Sequence, residues 1–264
     1  MDLATEYRRQ LAWRDWGRAF DALPALAGSR VLDLGCGVGD QAAALATRGA
    51  RVLGLDLDEG LLATARARGL AGVEVRTADL RLPLDVPFAA DGMWASFTPA
   101  YFPDLPAALA RWACSLRPDG WIALTEVDDL FGHEPLAPPV AARLATYARE
   151  ALEEGRYDFH MGGKLRRHLE AAGFAVSVAL DLADRELAFD GPAEPAVLAA
   201  WRARFDRMLL LRERCGPDYE GVRDAFLASL AHPLHRSRAR VRFCLATRRG
   251  PRLTGDAPGS RASR

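Results

Sequence analysis

The chain has 264 residues and equal numbers of basic and acidic side chains, 35 of each, so it carries no formal net charge at neutral pH. That balance leaves no overall electrostatic footprint for nucleic acid or an anionic membrane, although local basic patches stay compatible with it. Half of the residues are hydrophobic, as in ordinary globular proteins, and the length suits one large domain or one domain with an inserted cap. All but one of the basic residues are arginines, Lys164 being the exception. Cys36, Cys114, Cys215 and Cys244 lie far apart with no C-x-x-C pair, so neither a metal site nor a disulfide framework is expected. Met1 to Gln10 lacks the apolar core of a signal peptide, and no stretch reaches the roughly 20 apolar residues of a membrane span. The expectation is a cytoplasmic protein without a membrane segment.

In chain order, Tyr7 to Leu23 reads as a helix, with Trp13, Trp16 and Phe20 spaced by three and four. The apolar run Val31 to Leu34 ends in glycines and leads into a helical stretch from Asp40 to Arg48. Strand Arg51 to Leu55 then precedes helix Glu59 to Arg68, and Val73 to Thr77 alternates as a third strand. A fourth strand lies within Phe88 to Phe97, followed by a helix from Leu105 to Leu116. The turn Arg117-Pro118-Asp119-Gly120 introduces a fifth strand, Trp121 to Val127. Phe174 to Leu180 is a sixth and Arg240 to Ala246 the last, separated by helical periodicity near Val197 to Leu211 and Val222 to Leu230. Alternation of this kind predicts an α/β fold, a parallel sheet with helices on both faces. One domain is expected over residues 1–248, with an N-terminal cap over 1–27 and a helical insertion at about 190–235. The Gly-, Pro-, Ser- and Arg-rich tail 249–264 is expected to be disordered.

The chemistry is concentrated where Val31-Leu32-Asp33-Leu34 meets Gly35-Cys36-Gly37-Val38-Gly39 and then a helix. Glycines let the backbone turn sharply against a ligand, and the helix start offers free N–H groups. A dinucleotide loop would carry glycine or alanine at the sixth position counted from Gly35. Here that position is Asp40, which would repel a pyrophosphate. S-adenosylmethionine has no phosphate but carries a sulfonium and an ammonium, and acidic residues at Asp33 and Asp40 suit it better. Asp56 ends the second strand, placed to accept hydrogen bonds from both hydroxyls of a ribose. Asp79, in Thr77-Ala78-Asp79-Leu80, follows the third strand, where a carboxylate would meet an adenine amine. Any one of these aspartates is ordinarily a cap or turn residue. Three of them at successive strand ends of one sheet favour a ligand, because ligands bind at the carboxyl edge.

Val31 to Asp40 resembles motif I of the class I S-adenosylmethionine-dependent methyltransferases, and Gly54-Leu55-Asp56-Leu57 resembles their ribose-binding motif. Thr77 to Leu80 is similar to the adenine-binding segment. Met93 to Phe97 with Tyr101-Phe102-Pro103-Asp104 is similar to the fourth-strand motif of the small-molecule branch. Leu116-Arg117-Pro118-Asp119-Gly120-Trp121 matches an L-x-P-G-G turn, with Asp119 in place of the first glycine. The resemblance runs from about Gly28 to Val127 and weakens beyond. It implies a Rossmann-like sheet of seven strands in the order 3-2-1-4-5-7-6, the last antiparallel. It also implies that Asp33 helps hold the methionine amino group, with Gly35, Cys36, Gly37 and Gly39 passing close to the cofactor. Leu57 would pack on adenine, Ala78, Asp79 and Leu80 would line its edge, and Ser96 would lie near the ammonium. Gln41 is a further cofactor candidate.

Of the five histidines, His133 follows strand five among acidic neighbours that would raise its pKa, and His160 sits in Tyr157-Asp158-Phe159-His160-Met161. Both are candidate bases, and His133 is also a candidate for holding the acceptor. The remaining candidates for the acceptor pocket are Tyr7, Trp13, Phe97, Tyr101 and Phe159, against the plainer reading that the tryptophans form the packed face of a helix. The expected acceptor is a small apolar or aromatic molecule methylated at oxygen or nitrogen, with carbon also open. Strand four lacks the N/D-P-P-Y/F pattern of DNA amino-methylating enzymes, which weighs against nucleic acid. RNA or protein acceptors stay open, as does a protein that binds the cofactor without transferring its methyl. Nothing in the sequence fixes an oligomeric state.

Overall fold

Short β-branched and leucine-rich runs broken by glycine become parallel strands here because helices cover both of their faces. The structure is a computed structural model, and it describes residues 8–248 apart from Gln10. The strands β1 (Arg30–Leu34), β2 (Arg51–Asp56), β3 (Val73–Thr77), β4 (Ala90–Ser96), β5 (Leu116–Asp128), β7 (Phe174–Leu182) and β9 (Arg240–Arg248) form one seven-stranded sheet. Their order is β3-β2-β1-β4-β5-β9-β7, with β9 antiparallel to both of its neighbours, as the resemblance implied. A separate two-stranded ribbon, β6 (His133–Glu134) with β8 (Arg236–Ser237), was not anticipated.

Successive side chains on a strand face opposite ways, and the sheet therefore has two cores. Val31, Trp94, Ala123 and Val127 face α1 (Trp16–Asp21), α2 (Asp40–Ala46) and the helical additions α5 (Pro138–Glu153), α7 (Pro195–Arg207), α8 (Leu209–Cys215) and α9 (Tyr219–Leu230). Leu32, Leu34, Met93 and Leu124 face α4 (Leu105–Ala113) and α6 (Leu165–Ala171) on the other side. Helix α3 (Glu59–Ala67), capped by Asp58, packs beside β3. Trp94, Trp112 and Trp201 are fully buried, each a contribution of about 2–3 kcal/mol by apolar burial. No helix among the described residues is long and apolar enough to cross a membrane.

Three expectations are corrected. The N-terminal helix is broken: residues 8, 9 and 11–13 are helical, Arg14 leaves the helix to bridge Asp184, and α1 restarts with the Asp15 side chain accepting from the Arg18 N–H. The Arg117–Gly120 turn lies inside β5 as an excursion between the Ala90–Leu116 and Gly92–Trp121 pairings. Helix α5, the longest element among the described residues at 16, was missed because half of its buried stripe is small, with Ala148 and Ala151 beside Leu144 and Tyr147. The tail 249–264 lies outside the described residues.

Candidate active site

The glycine loop turns over the ends of β1 and β2. Gly35, Gly37 and Gly39 all have positive φ, and the N–H of Gly35 donates to the Leu55 carbonyl at 2.7 Å. At Gly35 a Cβ would fall 2.1 Å from the Thr98 hydroxyl, so only glycine fits both the space and the backbone. A Gly35→Ala variant should lose about 2 kcal/mol or more of stability together with its cofactor binding, read by denaturant unfolding and by titration. Unchanged values would mean that the loop tolerates a side chain there.

Asp56 is held in place by this loop. Its Oδ2 accepts from the Gly37 N–H at 2.8 Å and its Oδ1 from the Asp58 N–H at 2.9 Å. Each oxygen retains a further lone pair for a ribose hydroxyl. Leu57 beside it is 60 % exposed and leaves an apolar face open at the end of β2. The Ala78 N–H donates to the Asp56 carbonyl, which ties the third strand end to the second.

Several expected contacts are already engaged. The Asp79 carboxylate is gripped by the Arg81 side chain through Nε and Nη2 and accepts the Arg81 N–H as well. Asp40 pairs with Arg68 at 2.6 Å, so its charge is offset and does not face the loop unpaired. Gln41 accepts from the Trp94 indole N–H at 2.7 Å and props the floor of the site. Cys36 packs its sulfur against Gly54, where a Cβ would lie 2.7 Å away, and burial pushes its thiol up; its side chain is packing. Leu80 is buried, and its carbonyl accepts from the Trp112 indole.

Asp33 is 1 % exposed, and burial together with the Asp56 charge raises its pKa to about 7. Its Oδ2 has no hydrogen-bond partner, nor has the Ser96 hydroxyl. Buried polar atoms without partners are rare and cost roughly 1–3 kcal/mol each. A carboxyl and a hydroxyl of this kind, beside a glycine loop and a fixed Asp56, fit a cationic nucleoside such as S-adenosylmethionine.

Beyond the loop, the sheet edge carries aromatic groups. Phe97 has φ +53°, an uncommon conformation for a bulky residue, and lies under the Arg14 guanidinium at 4.2 Å. Tyr101 is 61 % exposed and meets Tyr157 edge to face at 4.9 Å. Burial raises both phenols, and Glu126 raises them further, while Asp56 adds to the effect on Tyr101. Trp13 is half-buried under Arg9, and Tyr7 lies outside the described residues.

The expectation for His133 is overturned. The ring is 2 % exposed, and its Nδ1 lies 3.0 Å from His235 Nε2, among Trp201, Phe226 and Phe189. Burial and then His235 lower its pKa to about 3, the opposite of the expected rise. It is a neutral packing residue that ties the β6–β8 ribbon to the helices, not a base. His160 is half-exposed, and its Nδ1 is 3.8 Å from Asp128, which raises its pKa. Phe159 is buried among Phe131, Tyr147 and Tyr157. Phe159, His160 and His133 border a cavity of about 860 Å³ between the end of β5 and α5.

Sequence reading missed Glu126, which is fully buried at the end of β5. Its carboxylate accepts from the Ala100 and Val127 N–H groups, and burial raises its pKa to about 7. Asp158 N–H donates to the Ala100 carbonyl, so the peptides on both sides of Ala100 are held, the second of them leading into Tyr101. Arg14 with Asp184 was also missed, a buried ion pair at 2.5 Å that straps the N-terminal cap to the segment after β7.

The two raised carboxyls set a pH dependence. The folded protein keeps their protons up to about pH 7, whereas the unfolded chain sheds them near pH 4. Their contribution to stability is therefore complete below about pH 4 and is lost as the pH rises through 7. The cofactor-free protein should melt at a lower temperature at about pH 8 than at about pH 5, and Asp33→Asn should flatten that fall. A melting profile unchanged by Asp33→Asn would refute the shift.

Residues 31–120 match the model of a family described as a methyltransferase domain. The ubiquinone biosynthesis O-methyltransferase of Pseudomonas aeruginosa is 32 % identical over 170 residues, 62 % of this chain and 69 % of the relative. The chain belongs to the class I S-adenosylmethionine-dependent methyltransferases. Nocamycin O-methyltransferase of Saccharothrix syringae is 34 % identical to this methyltransferase over 184 residues, 60 % of the chain but only 63 % of the relative, less than two thirds of its length. A methyltransferase structure from Mesorhizobium loti shares the fold, with a TM-score of 0.53 at 22 % identity, covering 89 % of this chain and 97 % of the other.

Proposed function

We propose that the chain transfers the methyl group of S-adenosylmethionine to an oxygen of a small, apolar or aromatic molecule. The observation that carries this is Asp56, fixed by the glycine loop at the end of β2, on the sheet edge where Phe97 and Tyr101 follow the end of β4. Cofactor and acceptor walls thus meet at one edge of the sheet. Oxygen is preferred over nitrogen and carbon because the two relatives named above are O-methyltransferases.

Asp56 would hold the ribose, Leu57 the adenine face, and Asp33 with Ser96 the amino-acid end; Asp79 would reach the adenine amine once Arg81 yields. When bound, the cofactor supplies a methyl already activated by a sulfonium, so an oxygen nucleophile in line with it is all the transfer requires. The protein's part is alignment and exclusion of water, which can supply several kcal/mol. Phe97, Tyr101 and Tyr157 form the apolar wall that does this. Glu126 holds the Tyr101 turn through backbone N–H groups and so does not itself take the acceptor's proton. His160, half-exposed with its pKa raised by Asp128, would take the proton of an acceptor that is not already ionised.

Incubation with methyl-labelled cofactor and a panel of phenols, enols and carboxylic acids tests the reading. Label should appear in an ether or ester product with equimolar S-adenosylhomocysteine. Cofactor binding without label transfer to any member would favour a binding protein that does not methylate.

A further inference from the structure

Three strands that meet at the cofactor edge leave buried polar atoms without partners on one face of the sheet. Asp33, Ser96 and Thr125 sit on the adjacent strands β1, β4 and β5, and alternation puts all three on the face covered by α1. Ser96 and Thr125 are direct register partners, so their side chains stand about 5 Å apart. Thr125 is fully buried, yet its hydroxyl has no hydrogen-bond partner, like Asp33 Oδ2 and the Ser96 hydroxyl. On the same face, Trp16 of α1 packs on Trp94 and Phe97, and its buried indole N–H is also unpartnered. A valine at 125 would fill the same space without the cost of an unmet hydroxyl.

We infer that Thr125 is a third side-chain contact for the amino-acid end of the cofactor, beside Asp33 and Ser96. The ammonium, which only donates, suits the Asp33 oxygen, while the paired Ser96 and Thr125 hydroxyls, set two residues farther along the sheet, can donate to the carboxylate of the same amino-acid end. The Trp16 indole N–H is a further donor for that carboxylate. This rests on the reading of the loop as a cofactor site and extends that site by one strand, to a residue with no glycine-rich or acidic signature.

The test compares two probes by calorimetry: S-adenosylhomocysteine, which has the amino-acid end, and 5′-methylthioadenosine, which lacks it. Thr125→Val should weaken S-adenosylhomocysteine binding by about 10-fold or more, leave 5′-methylthioadenosine unchanged, and be rescued by Thr125→Ser. The melting temperature of the unliganded Val variant should not fall, because a buried unmet hydroxyl has been removed. Equal binding of S-adenosylhomocysteine by wild type and Thr125→Val, or equal weakening of both probes, overturns the inference. Failure of the wild type to bind either probe would instead bring down the cofactor reading on which it stands.

Discussion

An Asp56→Ala variant should bind S-adenosylhomocysteine about 100-fold more weakly than wild type while remaining folded. Two ribose hydroxyls donating to one carboxylate are worth at least about 1.5 kcal/mol each, and about 3 kcal/mol is two orders of magnitude in affinity. The variant also releases the Gly37 and Asp58 N–H groups, so the loop loses the side chain that fixes its shape. Because Asp56 is only half-buried, water can serve those groups, and the cost falls on binding more than on folding. Asp56→Asn should lie between the two, since the amide keeps one acceptor. Calorimetry with an unchanged affinity in Asp56→Ala would remove the residue from the site.

The other large effect is expected at the strap. Asp184 has a fully buried side chain, paired with Arg14 at 2.5 Å and accepting the Glu186 and Leu187 N–H groups at 2.7 Å each. Asp184→Ala strands a buried guanidinium and two backbone donors and should cost about 3–5 kcal/mol in denaturant unfolding. Replacing both partners, Arg14→Met with Asp184→Leu, should recover part of that loss, because no lone charge is left inside. The guanidinium also roofs Phe97, so the single variant should loosen the cap over the cofactor edge. Additive losses in the double variant, or none in the single, would contradict a coupled buried pair.

What could be read from sequence was local. The run Val31 to Gly39 carries strand, turn and helix start within nine positions, and Asp56 and Asp79 mark strand ends by themselves. The sheet order followed from that alternation together with the resemblance. The misreadings concern contacts made across the chain. His133 looks acidic in its surroundings because Asp128, Asp129 and Glu134 are its sequence neighbours. Its spatial neighbour is His235, 102 residues on, and the helical insertion buries them both. Arg14 meets Asp184 across 170 residues, and nothing near either one signals the pair. Glu126 and Thr125 sit in an apolar strand, where only the sheet register shows that one pins Tyr101 and the other stands beside Ser96.

The central claim is that one sheet edge joins a ribose carboxylate, an amino-acid pocket and an aromatic acceptor wall. A crystal structure with S-adenosylhomocysteine tests it most directly. The account predicts both ribose hydroxyls on Asp56, the amino-acid end against Asp33 and Ser96, and the sulfur facing the Phe97 and Tyr101 side. A ligand seated elsewhere, or one whose sulfur points away from those rings, would contradict it.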